Sequence, residues 1–303
     1  MNFKLPPRLY TRDRRVRRVG VEIEFGGVSL ADATKILVER TRGRARSVHP
    51  HVAEVHTDHG VYRVEFDSSF FKKKKYAVYL ETLGLGRGFE TALRKLGELV
   101  IPFEIVTPPI PMTELDKVEL IRADLYDLAA TGATTSLIHA FGLQFNPEVP
   151  DERPETLLNY LRAFLLLYPR LKAECHIPVA RQFAPYVQAF SGRFHDFFLR
   201  PGYHPDLDTL IVDYLRLNPT RNRPLDLLPL FKYLRPEIVA AYPVEHELVK
   251  ARPTFHYRLP NSQVDNPRWS IAQEWNRWVE IEHLADNSER LQAALEVEQG
   301  LHA

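Results

Sequence analysis

The sequence predicts an α+β protein built on a mainly antiparallel sheet. Three observations carry that expectation. Short apolar runs of strand character recur towards both ends of the chain, at 16–25, 52–55, 61–66, 101–106, 136–146 and 254–259. Longer stretches with helical spacing separate them, at 30–42, 89–100, 114–130, 155–168, 207–217 and beyond 267. Asp58-His59-Gly60 is a turn signal that joins two of the strands as a hairpin. No internal repeat and no domain boundary is evident. Residues 1–303 read as one catalytic-sized domain, with a helical insert at about 151–250 on a sheet drawn from both ends of the chain.

Each element has a local reason. Residues 1–15 form a polar arm. The strand at 16–25 stops at Gly26-Gly27, and Ser29 then caps the first helix. The strand at 101–106 ends at Thr107-Pro108-Pro109, because proline gives no N–H to a ladder. In 136–146, Ile138 and Ala140 oppose His139, and Leu143 opposes Gln144 after Gly142. The helix at 155–168 is expected to close at Pro169, and Pro267 is expected to open the last helix, with Trp269, Trp275 and Trp278 as core anchors. The 23 prolines, mostly after residue 100, predict short helices and loops in the second half.

Composition excludes several classes. A formal net charge of +1 gives no global field for nucleic acid or membrane. Basic runs at Arg12, Arg14, Arg15, Arg17 and Arg18, and at 72–75, are most often solvated faces. Cys175 is the only cysteine, so there is no disulfide framework, and a reducing cytoplasm is the expected setting. No charged-then-apolar leader opens the chain, and the longest apolar run is too short to span a bilayer. His49, His51, His56 and His59 match no zinc spacing and read as exposed hairpin residues.

Gly20-Val21-Glu22-Ile23-Glu24-Phe25 carries the chemistry. In a strand, Glu22 and Glu24 share one face while Val21, Ile23 and Phe25 share the other. Alone, such a pair is more often an edge strand with its acids in water. Later strands repeat the pattern, however, with Glu65 and Asp67, Glu104, His139, Gln144 and Asn146, and His256 and Arg258. On one sheet these would make a face of carboxylates, imidazoles and a guanidinium, where cations are expected.

These residues resemble the motif series of the amidoligases, in the superfamily of glutamine synthetase and glutamate–cysteine ligase. The resemblance rests on Val19-Gly20-Val21-Glu22-Ile23-Glu24-Phe25, Phe66-Asp67-Ser68-Ser69 and Phe103-Glu104-Ile105-Val106-Thr107-Pro108-Pro109. His139-Ala140-Phe141-Gly142-Leu143-Gln144-Phe145-Asn146 and Phe255-His256-Tyr257-Arg258-Leu259-Pro260-Asn261 with Asn266-Pro267 complete it. It implies a curved sheet forming a funnel, with helices on the outer face. It also implies ATP-dependent ligation, in which a carboxylate takes the γ-phosphoryl group and an amine then displaces phosphate to form an amide.

Carried over by position, Glu24, Asp67 and Glu104 would hold one divalent metal, and Glu22, His139 and His256 a second. The ions implied are Mg²⁺ or Mn²⁺, two or more. Glutamine synthetases place a carboxylate where His256 stands, and an imidazole suits Mn²⁺ or Zn²⁺ better than Mg²⁺. Arg258 would stabilise the transferring phosphoryl group, beside Glu24 and Asp67 in the catalytic set. Gln144, Asn146 and Arg63 would line the nucleotide side, and Asn146 and Arg252 the substrate side. The implied partners are ATP, an amino-acid or peptide carboxylate and an amine acceptor. A homo-oligomer is left open. A metal-dependent hydrolase or nuclease using the same acids, and a degenerate binding module of the same fold, are the competing expectations.

Overall fold

A computed structural model describes residues 2–66, 103–131, 141–175 and 188–302. The expected α+β architecture is present, as helices on an open, antiparallel sheet. Its strands are β1 (Arg18–Phe25), β2 (Arg44–His49), β3 (Val52–Thr57), β4 (Gly60–Phe66), β5 (Phe103–Val106), β6 (Ile110–Pro111), β7 (Leu143–Pro147), β8 (Leu225–Asp226) and β9 (His256–Tyr257). Their spatial order is β2-β3-β4-β5-β1-β7-β9-β8, with β6 on the start of β1. The helices are α1 (Leu30–Thr41), α2 (Asp116–Thr131), α3 (Pro154–Glu174), α4 (Gly192–Leu199), α5 (Leu207–Leu217), α6 (Leu228–Leu234), α7 (Pro236–Ala240), α8 (Ile271–Asp286) and α9 (Ser288–His302). No helix among the described residues is long and apolar enough to cross a membrane.

The alternation in β1 fixes which way the sheet faces. Val19, Val21, Ile23 and Phe25 are fully buried, and Ile105, Val64, Leu143, Phe145 and Tyr257 continue the same apolar layer on neighbouring strands. Helices cover this side. α1 packs on β3, β4 and α2, and α8 packs on α3. Trp275 meets Phe145 edge-on at 5.5 Å, and Trp278 lies 5.3 Å from Tyr257, so the tryptophans anchor α8 under β7 and β9.

Under the first strand lies a buried charge cluster. Arg17 and Glu282 are both fully buried and joined by two hydrogen bonds of 2.7 and 2.9 Å. Glu282 also accepts from Tyr160 Oη at 2.9 Å and Trp278 Nε1 at 2.7 Å. Arg17 donates further to the carbonyls of Glu148 and Arg8. The basic run expected to be solvated is therefore split. Arg17 alternates inward from β1, where Glu282 supplies the charge that burial demands.

Other local expectations change in detail. α3 runs through Pro169 to Glu174. The proline forfeits one N–H, while buried Leu171 and the pairing of Arg170 with Glu174 and Glu280 hold the last turn. α8 starts after Ser270, not at Pro267, because Ser270 and Gln273 form a reciprocal capping box. β2 was not expected. Arg44-Ala45-Arg46-Ser47-Val48-His49 shows no apolar alternation, and all six residues are exposed. The arm is not free, since Trp275 Nε1 and Asn276 bond the backbone of Lys4. The helix expected at 89–100 lies outside the described residues.

Candidate active site on the polar sheet face

The face opposite the core is polar because the same alternation that buries Val21 and Ile23 turns Glu22 and Glu24 away from them. β1 is central, between β5 and β7. Two rows of paired positions cross the sheet. Glu65, Glu104 and Glu24 form one, and Arg63, Val106, Glu22 and Gln144 form the next. Gly20 opposes Asn146 in a third. Residues far apart in the chain thus reach one face through strand register alone. Glu24 accepts from Gly142 N at 2.8 Å, which extends the β1–β7 edge.

Glu22 organises the middle of the face. Its Oε1 accepts from Asn146 Nδ2 at 2.7 Å and from Gln144 Nε2 at 3.0 Å. Gln144 Nε2 also lies 2.7 Å from Asn146 Oδ1 and 3.2 Å from His256 Nδ1. A carboxylate and an amide oxygen both face this nitrogen, so the amide orientation is set. Glu22 and Asn146 take both N–H groups of Gln144, so the donor that faces His256 Nδ1 is Arg258 Nη2, at 3.4 Å. Nδ1 accepts, and the proton of the neutral ring sits on Nε2, a buried atom with no hydrogen-bond partner among the described residues. Burial, followed by the charges of Arg258, Arg252 and Arg221, pushes the imidazole well below its ordinary range, so it stays neutral.

Arg258 is oriented by Asp226, at 3.1 Å from Nη2. Asp226 is fully buried and also accepts from Leu228 N at 2.9 Å. Burial raises its carboxyl above the ordinary value, against the opposing pull of Arg258. Neither Asp226 nor Arg221 figures among the sequence-derived site residues. Arg221 is half-buried, and burial and Arg258 lower its pKa while Asp226, Glu245 and Glu22 oppose them. One signal pointed to Asp226, a lone acid in the apolar run Pro224-Leu225-Asp226-Leu227-Leu228.

The Thr-Pro-Pro corner closes the other end of the face. Thr107 continues the β5–β1 pairing with its side chain, where Val21 N donates to Oγ1 at 2.9 Å and Thr107 N donates to Val21 O at 2.9 Å. Pro108 then supports the β3–β4 turn at Gly60, whose φ is +127° and where a Cβ would lie 2.9 Å from Pro108 Cβ. A cavity of ≈ 890 Å³ opens here, floored by Gly20, Val106 and Asn146. Arg15, Arg18, Arg63 and Arg252 line it with Glu54 and Glu148. The face is therefore graded, from carboxylates at the Glu24 end to guanidinium groups at the Gly20 end.

Glu22, Glu24, Glu104, Gln144, Asn146, His256 and Arg258 meet on this face. Arg63 and Arg252 line the adjoining cavity, Arg63 with contacts of 3.6 Å to Glu54 and 3.5 Å to Glu65. Asp67, His139 and the 72–75 run lie outside the described residues. Among the described residues, no three His, Cys, Asp or Glu side chains converge closely enough to hold a metal ion. His49, His51 and His56 are exposed, as expected, while His59 is half-buried 3.3 Å from Glu114.

A family model described as "Putative amidoligase enzyme" matches residues 15–280, spanning the whole of this face. No curated protein and no solved structure matches the chain. The match covers most of the sequence and every strand of the sheet, and the chain belongs to this amidoligase family.

Proposed function

We propose that the protein is an ATP-dependent carboxylate–amine ligase. A substrate carboxylate oxygen attacks the γ-phosphorus of ATP, the bond to ADP breaks, and an amine nitrogen then takes the acyl carbon as phosphate leaves. The observation that carries this reading is the row Glu65–Glu104–Glu24 beside the Glu22–Gln144–Asn146 network, on one face of a family-matched sheet. Carboxylates opposed in one ladder row repel, and their oxygens suit a hard divalent cation such as Mg²⁺ or Mn²⁺. In this reading Glu24 and Glu104 hold one ion with Asp67, and Glu22 holds a second with His139. Such ions neutralise charge on the phosphate oxygens.

The chain's own residues have the remaining roles. Asp226 aims Arg258, a fixed guanidinium suited to a phosphoryl group. Gln144 and Asn146 keep Glu22 in place. For His256 we favour donation over ligation, because Arg258 Nη2, which can only donate, faces Nδ1, and a proton on Nε2 leaves no lone pair there for a metal. Arg63 and Arg252 attract anionic substrate groups into the cavity. Abundant ATP and the single cysteine make a cytoplasmic setting part of the same reading.

The test is ADP release with Mg²⁺ or Mn²⁺ across pools of amino acids and peptides, with mass spectrometry for the amide. Substrate-dependent ADP and amide, both lost in Glu24→Ala, are expected. Absence of ATP binding by calorimetry, or phosphate release without amide, would sink the ligase and favour the hydrolase or a binding module.

A further inference from the structure

The cavity at the Gly20 end does not stand alone. Arg15, Glu148 and Pro253 line it and also line a second cavity of ≈ 1230 Å³, which reaches Arg12 and Asp13 of the arm and Asp151 before α3. The two cavities adjoin, with the Arg15–Glu148 ion pair, at 2.6 and 3.2 Å, on the wall between them, and together they make a groove. Pockets that enclose a drug-sized molecule run to about 300–1,000 Å³. The first cavity reaches that range alone, and the groove as a whole is far larger than a free amino acid needs.

Charge divides the groove. In the first cavity four arginines face two glutamates, and Arg18 and Arg252 have no ion-pair partner among the described residues. In the second, four arginines meet four carboxylates, with Arg8 and Arg153 both on Asp151. The first cavity therefore offers uncompensated cations, and the second is balanced. Between the arginines the first cavity has apolar walls, Val61, Val106, Pro108 and Pro109. Thr254 also lines it, and its buried Oγ1 has no hydrogen-bond partner among the described residues. Anionic groups on an extended, partly apolar chain match this pattern.

We propose that the groove binds a peptide. An acidic residue sits at Arg18 and Arg252, and the chain continues past Arg15 and Glu148 into the second cavity. This rests on the ligase reading and names its substrate class, a polypeptide in place of a free amino acid.

The test is fluorescence anisotropy on the full chain, with neither nucleotide nor metal, using a short fluorescein-labelled peptide of alternating glycine and glutamate. The peptide binds, and its glycine–lysine counterpart does not. Free glutamate competes at least about tenfold more weakly than the unlabelled peptide. Arg18→Ala and Arg252→Ala each weaken binding about tenfold, the scale of one lost charged hydrogen bond. Both side chains are exposed, so melting temperatures stay at the wild-type value. Free glutamate competing as well as the peptide overturns the proposal. So do unchanged affinity in both variants, and displacement by ATP that both variants also weaken, which marks a nucleotide site. Peptide binding without peptide-dependent ADP release keeps the groove and removes the ligase. Peptide-dependent ADP release untouched by either substitution does the reverse.

Discussion

Glu282→Gln is the sharpest probe of what holds the sheet to its helices. Four donors converge on the Glu282 carboxylate, two from Arg17 and one each from Tyr160 and Trp278, at 2.7 to 2.9 Å. Glutamine would place an NH₂ group among those donors, and the charge opposite Arg17 would vanish. Arg17 cannot escape by losing its proton. A guanidinium stays protonated in proteins; in the wild type burial lowers its pKa, and Glu282 together with Tyr160 and Glu148 outweighs burial and raises it. The stranded guanidinium would keep only the Glu148 and Arg8 carbonyls. Removing one partner of a buried pair costs about 3–5 kcal/mol. With a urea slope of about 3 kcal/mol/M, the unfolding midpoint falls by about 1–1.7 M. Arg17→Met in the Glu282→Gln background removes the stranded charge and recovers part of the loss. A Glu282→Gln variant within about 1 kcal/mol of wild type would refute the account, because no fully buried guanidinium could then depend on that carboxylate.

Two further substitutions test separate features. Burial pushes the Asp151 carboxyl up, but hydrogen bonds from Arg153, Arg8 and Thr156 outweigh it and leave the group at about 2, below its ordinary 3.8. The depressed pKa stabilises the fold by about 2 kcal/mol above the ordinary value, and this is lost as pH falls from 3.8 towards 2. Asp151→Asn lowers stability at neutral pH by that amount and flattens the acid limb of the urea-midpoint profile; parallel profiles would contradict it. Gly60→Ala combines an unfavourable φ of +127° with a 2.9 Å approach to the rigid Pro108 ring. It costs about 1–3 kcal/mol by denaturation, whereas wild-type stability would mean that the hairpin turn shifts freely on Pro108.

The site was readable where side-chain period and strand register coincide. Alternation in Gly20-Val21-Glu22-Ile23-Glu24-Phe25 assigns each residue to a face without knowledge of its neighbours, and β1 obeys it at every position. Which strands flank β1 is not written in that pattern, and the amidoligase resemblance supplied the grouping. Asp226 escaped notice for a related reason. It reaches the face through a two-residue strand inside a helical stretch, too short for any period to show. Arg17 was misjudged because sequence shows a run of arginines but not the carboxylate 265 positions away that draws one of them inward. The helix starts at 267 and 270 compete locally, and a reciprocal cap outweighs a well-placed proline.

The outer strand β2 has a consequence for how the molecules behave together. Among the described residues it is the last strand on its side of the sheet, and all six of its residues are exposed. Such an edge is a template on which a second chain can add a strand and start aggregation. Here Arg44 and Arg46 stand along it, with His49 at its end. Two copies meeting edge to edge would bring like charges together before any backbone hydrogen bond formed. The absence of apolar alternation that hid β2 in the sequence thus also puts charge along this edge, which opposes the addition of a second chain's strand.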